Sequence, residues 1–392
     1  MGKILDYIQS QGNGRYFCYK TKKFMLDSNS TDTFSYDDKN IYLTSSSKIA
    51  ETDMSKVHSV SIPLNYITNC TPIFSFFLDG SRRIYKVDDI AIGKKIFPVL
   101  AGQIIVGCCE RKDRDTFKGV RLNSRLVISM PDDFDIDDEN NNNNFCRLYC
   151  ERINQELSSI LFFNENKIVL DEMLLYKTDG FVDKDSDKEK YISRATSKIQ
   201  SAMMDEEQLL VNELCKNNRL DDNHFLIKDG SLEYNPRFSN MEKTDWEIMR
   251  TNYKHVVGVS KLFNPELLMD FDGNSLSRTI ANLKPFERTK VYRYPSEHTG
   301  SEFAVWYLRL RHTDFRETNY SDVIKCEMVI SNEGDMIDTS LIDLISANLI
   351  KEAYPVCYGK DSRWANHLYP VYLTECFCKS HYIDSNIIFK MF

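Results

Sequence analysis

Two apolar runs that each close on the same Asp-Gly-Ser motif constrain the fold of this chain more than any other feature. The first is "FSFFLDGSRRIYKV", with Asp79 after the apolar run, and the second is "HFLIKDGSL", with Asp229 in the same place. Short apolar runs bounded by Asp-Gly are typical of buried strands followed by a turn. The sequence therefore predicts two buried strands that end on a carboxylate, with "RRIYKV" returning as a further strand after a glycine turn.

The order of elements between the two motifs favours a metal site over two unrelated turns. Asp-Gly alone is a common hairpin signal, so either motif also has a purely structural interpretation. Between them, however, the sequence predicts two further strands and a long helix over 191–218 that contains several glutamates. In the ribonuclease-H-like fold, this order places three carboxylates around one point. Oxygen ligands of this kind suit Mg²⁺ or Mn²⁺, and two such ions activate water against a phosphodiester.

The helix over 191–218 offers two candidates for the third carboxylate. On a helical wheel, Glu206 falls inside the apolar stripe, while Glu207 and Glu213 lie on its two flanks. An isolated glutamate inside an apolar stripe becomes neutral unless it is paired or bound to metal. Glu206 is therefore the first choice of ligand and Glu207 the second, with a solvated helix face as the structural alternative. The stripe is set by Ile199, Met203, Leu210 and Leu214.

Composition limits the classes of protein to which this chain can belong. Its 392 residues are 42% hydrophobic, which is enough for a large core, and the formal charge is −8, so nucleic acid would require a local basic surface. The 11 cysteines are irregularly spaced, which favours free thiols in a reducing compartment. No apolar run is long enough for a signal peptide or a membrane span. We expect a cytoplasmic protein that does not enter a membrane.

The same patterns predict the domain organisation. A small β-rich region is expected over 1–71 and one α/β domain over 72–392, with an inserted helical and β block at about 130–190. Inside that block, the acidic and asparagine-rich run at 132–144 is predicted to be a solvated loop.

The ordered motifs resemble the NurA nucleases, the partners of the HerA DNA translocase, over roughly 72–385. "FLDGSRR", an acidic helix, "FLIKDGSL", "VVGVSK" and a late Tyr-Pro segment follow one another in the order that this family uses. The resemblance implies a ribonuclease-H-like, Piwi-related mixed sheet flanked by helices. It also implies a homodimer that cleaves DNA with Mn²⁺ or Mg²⁺, Mn²⁺ being favoured, as a single-strand endonuclease and 5′-to-3′ exonuclease. A HerA-like hexameric ATPase would be its partner, in DNA end processing or anti-phage defence.

Four positions of this chain match functional positions of that family. Asp79 and Asp229 correspond to the two metal-binding aspartates, and the intervening glutamate corresponds to Glu206 or Glu207. Lys261 corresponds to the lysine after "GVS" and would neutralise a scissile phosphate, although an ordinary surface lysine is the alternative.

The late motif departs from the family pattern. The family follows its Tyr-Pro segment with Ala-His, whereas this chain has Cys376-Phe377 there. The nearest histidine is His367, just before Tyr369-Pro370. Either His367 assists the site from a shifted position or that ligand is lost, and a structural histidine remains the alternative.

Four arginines are candidates for contacts with the phosphate backbone of a nucleic acid. Arg82 and Arg83 follow Asp79 directly, and Arg309 and Arg311 alternate in "WYLRLRH" beside two aromatic residues. Arginine contacts to phosphates and aromatic stacking on bases are typical of single-strand binding without sequence preference. A strand with alternating arginines is also an ordinary solvent face.

Two other functional classes are compatible with the same residues. The first is a catalytically inactive ribonuclease-H-like module that binds nucleic acid or scaffolds a motor, which the missing Ala-His pair favours. The second is a related enzyme with different chemistry, such as an integrase-like strand-transfer enzyme or an RNA-cleaving Piwi relative. The products of the reaction and the requirement for a metal ion distinguish these classes.

Overall fold

The structure is a computed structural model, and it describes most of the chain. The statements below concern only the described residues: 3–12, 16–18, 23–26, 48–113, 116–134, 142–178, 187–233, 251, 253–296, 302–311, 318–332, 334–357 and 364–392.

The described strands belong to one mixed sheet. They are β1 (Tyr16–Cys18), β2 (Phe24–Met25), β3 (Ser59–Ser61), β4 (Phe74–Ile92), β5 (Lys95–Arg111), β6 (Phe117–Pro131), β7 (Glu172–Tyr176), β8 (Phe225–Asp229), β9 (Val256–Ser260), β10 (Glu287–Thr289), β11 (Tyr292–Pro295), β12 (Glu302–Arg309) and β13 (Val323–Ile330). The order in the sheet is β3-β10-β12-β13-β9-β8-β4-β5-β6-β7, with β1 and β2 beside β4 and β11 beside β12.

Helices cover both faces of this sheet. They are α1 (Lys3–Gln11), α2 (Leu64–Asn69), α3 (Asn142–Ser158), α4 (Leu161–Glu165), α5 (Asp187–Lys216), α6 (Ser277–Asn282), α7 (Thr339–Glu352), α8 (Tyr369–Lys379) and α9 (Ser385–Met391). The predicted mixed α/β class, with a large mixed sheet flanked by helices, is confirmed. Within the described ranges, no helix combines the length and the apolar character that a bilayer crossing requires.

The two faces of the sheet are distinguished by the residues of β4, because successive side chains of a strand point in opposite directions. Leu78 belongs to the hydrophobic core that contains Ile199 and Met203 of α5. Its neighbour Phe77 belongs to the other core, which contains Ile345 of α7. We call these two sides of the sheet the α5 face and the α7 face.

The strand that contains the first Asp-Gly-Ser motif differs from the sequence prediction. The expected glycine turn after Asp79 is wrong, since β4 runs without interruption from Phe74 to Ile92. It pairs residue by residue with β5, which pairs in turn with β6. The antiparallel meander is therefore present, but its three strands are 74–92, 95–111 and 117–131.

The strand that contains the second motif lies where the sequence analysis expected it. β8 follows α5 and pairs in parallel with β4, with Leu78 opposite Lys228. The next residues along the two strands are Asp79 and Asp229, so this register places the two aspartates side by side. β8 ends at Asp229 because Gly230 has a φ of +87°, a left-handed conformation that glycine adopts without strain.

The first 71 residues contain more helix than the sequence predicts. Besides the short strands, the described part contains α1 and α2. The helix α2 begins after Pro63, whose φ of −63° suits a helix start and whose missing N–H costs nothing there. The inserted block likewise joins the main sheet, since β7 pairs with β6 in parallel. The predicted loop at 132–144 lies partly outside the described residues.

A buried ion-pair network attaches the segment at 48–53 to the sheet. Glu51, Arg288 and Lys290 are all 0% exposed, and Glu51 accepts hydrogen bonds from Arg288 Nη2 at 2.9 Å and from the N–H of Val291 at 3.0 Å. Lys290 Nζ lies 3.6 Å from Glu51 Oε1. Since buried charges without partners are costly, these three charged side chains stabilise one another in this arrangement.

Candidate active site

Asp79 and Asp229 form the centre of the candidate site, on the α7 face of the sheet. Asp79 is 5% exposed and lies opposite Gly107 of β5. Lys261, directly after β9, places its Nζ 2.8 Å from Asp229 Oδ2, and that lysine side chain is nearly buried as well. Three adjacent strands thus bring two acids and one base to the same place.

The helix α8 covers this group and contributes an acid that the sequence analysis did not single out. Glu375 acts electrostatically on both Asp79 and Lys261. It lies four residues after the buried Val371 and three before the buried Cys378, at the edge of the buried face of α8. That spacing is the signal in the sequence that points to Glu375.

His367 lies just before α8 and belongs to the same neighbourhood. It is almost fully buried, and it is among the groups that lower the pKa of Asp229. Its ring makes an edge-to-face contact with Tyr372, with the centroids 6.0 Å apart. The shifted position that the sequence analysis proposed for this histidine therefore places it near one of the two aspartates.

The electrostatics of the pair are asymmetric. Burial raises the pKa of Asp79 well above its ordinary value, and the charge of Asp229 raises it further. Burial also acts to raise the pKa of Asp229, but Lys261 outweighs that effect and lowers it. Burial alone would lower the pKa of Lys261, yet the two aspartates and Glu375 raise it. The site holds more negative than positive groups, and Asp79 is the acid without a direct ion pair to Lys261.

The glutamates of α5 lie on the opposite face of the sheet, which corrects the predicted ligand set. Glu207 forms a buried salt bridge with Lys228, with 2.8 Å between Nζ and Oε2. A Cβ added to Gly80 would collide with Glu207 Oε1, so Glu207 packs directly over Gly80. Because Asp79 and Gly80 are consecutive in a strand, their side-chain directions are opposite. Glu207 influences Asp79 only weakly from there, as the last of the causes that raise its pKa.

Glu206, the first choice from the helical wheel, is paired elsewhere. Its carboxylate accepts hydrogen bonds from Arg125 Nη1 at 2.6 Å and from Asn123 Nδ2 at 3.1 Å, both on β6. Glu206 is 8% exposed, so the helical wheel placed it correctly on the buried side of α5. Its partner is an arginine of the neighbouring strand, and the structure does not bring it to Asp79.

The arginines after the first motif divide between the two faces. Arg83 stacks its guanidinium over the Tyr382 ring, 4.1 Å from the centroid, and both are near Ser81, which accepts a hydrogen bond from Tyr382. Arg82 donates to Gln200 of α5. Arg83 is therefore on the same side of β4 as Asp79, and Arg82 is on the other.

Arg309 and Arg311 are inside the protein, contrary to the prediction of a nucleic-acid-binding surface. Arg309 is 0% exposed and donates to the carbonyl oxygens of Ser321 and Asn319 at 2.7 and 3.0 Å. Arg311 is 3% exposed and donates to the carbonyl oxygen of Ala353. Alternation along a strand predicts a shared face but does not reveal that helices and loops cover it. Both arginines are therefore buried.

The fit of a divalent ion rests on the two aspartates alone. Among the described residues, no group of three His, Cys, Asp or Glu that includes Asp79 and Asp229 brings its ligand atoms all within 4.8 Å of one another. Mg²⁺ is commonly held by one or two carboxylates, with water and substrate phosphates completing its coordination. Asp79 and Asp229 fit such an ion, whereas the predicted set that included Glu206 and Glu207 does not converge.

Comparisons with known proteins find a distant structural similarity. No protein-family profile matches the chain, and no curated protein sequence matches it. Among solved structures, it is similar to the crystal structure of the NurA nuclease from Sulfolobus solfataricus, at 10% sequence identity and a TM-score of 0.38. The similarity covers 80% of this chain and 86% of that chain. Similarity at this level does not establish family membership.

The raised pKa of Asp79 predicts a pH-dependent stability difference. At a pH between the ordinary carboxyl value of 3.8 and the raised value, folded Asp79 binds more protons than unfolded Asp79, so its ionisation destabilises the fold as pH rises. Asp79→Asn is expected to increase the free energy of unfolding in EDTA by about 1 kcal/mol or more near pH 7, and by less towards pH 5. Urea denaturation at several pH values measures this difference.

The matched control for this variant is Asp89→Asn, on the same strand. Asp89 is only partly buried and forms a salt bridge with Lys86 at 2.9 Å, so its loss should not stabilise the protein at any pH. If Asp79→Asn destabilised the protein at pH 7, the assignment of a buried and uncompensated charge to Asp79 would be incorrect.

Proposed function

We propose that this protein is a divalent-metal-dependent nuclease that hydrolyses phosphodiesters of DNA. The observation that carries the proposal is the placement of two aspartates side by side on neighbouring parallel strands, one of them buried. Carboxylates in this arrangement hold an ion through oxygen ligands and leave positions for water and phosphate oxygens. The sequence resemblance supports the same activity.

The residues around the pair have separate roles in this proposal. Asp79 and Asp229 hold Mn²⁺ or Mg²⁺, and the ion supplies Lewis-acid stabilisation of the phosphate and an activated water. Lys261 exchanges part of its interaction with Asp229 for a phosphate oxygen of the substrate. Glu375 orients the water or receives its proton. Arg83 contacts the substrate backbone at the margin of the site.

The finer features of the function are taken from the sequence resemblance. We propose a ribonuclease-H-like core, single-strand endonuclease and 5′-to-3′ exonuclease activity, and a homodimer that works with a HerA-like hexameric ATPase. DNA delivery by such a motor is consistent with the chain's net negative charge, because the substrate need not be captured by long-range attraction. End processing and anti-phage defence are both compatible with this activity.

One observation favours a second function, an inactive nucleic-acid-binding module. Lys261 already neutralises Asp229 at 2.8 Å, which is what a site without metal requires. The nuclease proposal instead requires that a divalent ion displace part of this interaction. Metal dependence of DNA cleavage therefore separates the two functions.

The test is cleavage of end-labelled single- and double-stranded DNA by the full-length protein. Cleavage is expected with Mn²⁺, to a smaller extent with Mg²⁺, and not in EDTA. The assay is repeated with a HerA-like ATPase and ATP, because the proposed partner delivers the substrate. DNA binding without cleavage under every one of these conditions would reject the nuclease and favour the inactive module.

A further inference from the structure

A second group of metal-ligand side chains lies outside the candidate active site. His58 precedes β3, and Asp270 and Asp272 belong to the loop between β9 and α6. Ligand atoms of these three residues all lie within 4.8 Å of one another, and no other such trio occurs in the part of the chain that the structure describes. The group therefore joins two segments that are far apart in sequence.

The imidazole of His58 is held between the two carboxylates. Its Nδ1 lies 3.7 Å from Asp270 Oδ2, and its Nε2 lies 3.7 Å from Asp272 Oδ2. The ring stacks on Phe271, with 4.9 Å between centroids and an angle of 17° between planes. Both nitrogen-to-oxygen distances exceed those of hydrogen bonds, so the three groups face one another across a gap.

The carboxylate of Asp270 indicates that this gap holds a ligand. Its side chain is 4% exposed, and its Oδ1 accepts hydrogen bonds from the N–H groups of Asp272 and Asn274 at 2.9 and 2.8 Å. Its Oδ2, by contrast, accepts no hydrogen bond from any described residue and faces His58. This oxygen is therefore available to a ligand in the gap.

Few positive charges lie near Asp270 Oδ2. His58 is the one basic side chain within salt-bridge distance of either carboxylate among the described residues, and it is half exposed. The two aspartates also act on the buried Tyr292, whose pKa is raised by burial first and then by Asp270, Glu51 and Asp272. The gap thus lies in a region of negative potential.

We propose that His58, Asp270 and Asp272 bind one divalent transition-metal cation such as Mn²⁺ or Zn²⁺. One imidazole nitrogen and two carboxylate oxygens form the mixed ligand set that these ions accept, whereas Mg²⁺ and Ca²⁺ prefer oxygen ligands alone. The ion links the segment before β3 to the loop before α6. It stabilises the fold and takes no part in catalysis, because its ligands lie on none of the elements that carry Asp79 and Asp229.

Calorimetric titration of the EDTA-stripped, full-length protein with Mn²⁺ tests this site. Mn²⁺ is the suitable probe because thiolates prefer softer ions, so the cysteines contribute little. His58→Gln and Asp272→Asn change exposed side chains and should remain folded, and each is expected to weaken one Mn²⁺ site by about tenfold or more. The matched control is His224→Gln, an exposed histidine paired with Asp221 at 2.8 Å, which should leave Mn²⁺ binding unchanged.

The same variants separate this site from the proposed active site. Asp229→Asn should retain the Mn²⁺ site that His58→Gln loses. Mn²⁺ should therefore raise the melting temperature of Asp229→Asn by more than it raises the melting temperature of His58→Gln. Equal Mn²⁺ affinity and stoichiometry in wild type and His58→Gln would overturn the inference. So would Mg²⁺ binding that is as tight as Mn²⁺ binding and lost in His58→Gln. Neither result depends on whether the protein cleaves DNA.

Discussion

Asp79→Asn and Asp229→Asn are each expected to reduce metal-dependent DNA cleavage by about 10³-fold or more. Each substitution keeps the shape of the side chain but removes one of the two anionic oxygens that hold the ion. Single-turnover cleavage of labelled DNA in Mn²⁺ measures the loss. Asp79→Asn is also expected to be at least as stable as wild type near pH 7, so unfolding would not account for its inactivity.

Three further variants sharpen this test. Asp89→Asn, on the same strand but outside the site, should retain activity. Glu206→Gln should also retain most of it, because Glu206 pairs with Arg125. Glu375→Gln should lose activity, because Glu375 acts electrostatically on Asp79 and Lys261. Loss of activity in Glu206→Gln together with full activity of Glu375→Gln would contradict the composition of the candidate site described above.

The largest effect on stability is expected for Glu51→Gln, which should lower the free energy of unfolding by about 3 kcal/mol or more. Removing this charge leaves Arg288 and Lys290 buried beside each other with only partial compensation. Arg288 retains Asp343 at 2.7 Å, and Lys290 retains Asp53 at 2.8 Å. Urea denaturation with an unchanged m-value measures the loss.

The matched control for Glu51→Gln is Glu213→Gln, which breaks a salt bridge with Arg121. Both side chains of that pair are about half exposed, so the expected loss is under about 1 kcal/mol. Equal losses for the two variants would show that the Glu51 network is not buried as described. Salt should weaken the Arg121 pair and leave the Glu51 network nearly unaffected.

Packing gave the two Asp-Gly-Ser motifs different structural roles. At Asp229 the glycine turns the chain, and the turn is secured by Glu327, which accepts hydrogen bonds from Ser231 Oγ and the N–H of Leu232 at 2.9 and 2.7 Å. At Asp79 the strand continues, and the missing side chain of Gly80 makes room for Glu207. The same three letters thus mark a turn in one place and a close approach of a helix in the other.

The sequence by itself determined which strands meet. The apolar runs ending at Asp79 and Asp229, with an amphipathic helix between them, follow the element order of the ribonuclease-H-like fold, and that order predicted that the two aspartates are neighbours. Local periodicity predicts the strands themselves, whereas their pairing was inferred from the order of elements in that fold. Lys261 and His367, which the resemblance singled out, also lie near the pair.

Only the tertiary structure decided which side chains share a face with that pair. A helical wheel places Glu206 on the buried side of α5 but does not say which side of the sheet the helix covers, and α5 covers the side opposite Asp79. For the same reason, the sequence did not reveal that Glu375 on α8 lies near the pair or that Arg309 is buried. Periodicity is a local property of the chain, whereas the face that an element covers depends on packing between residues hundreds of positions apart.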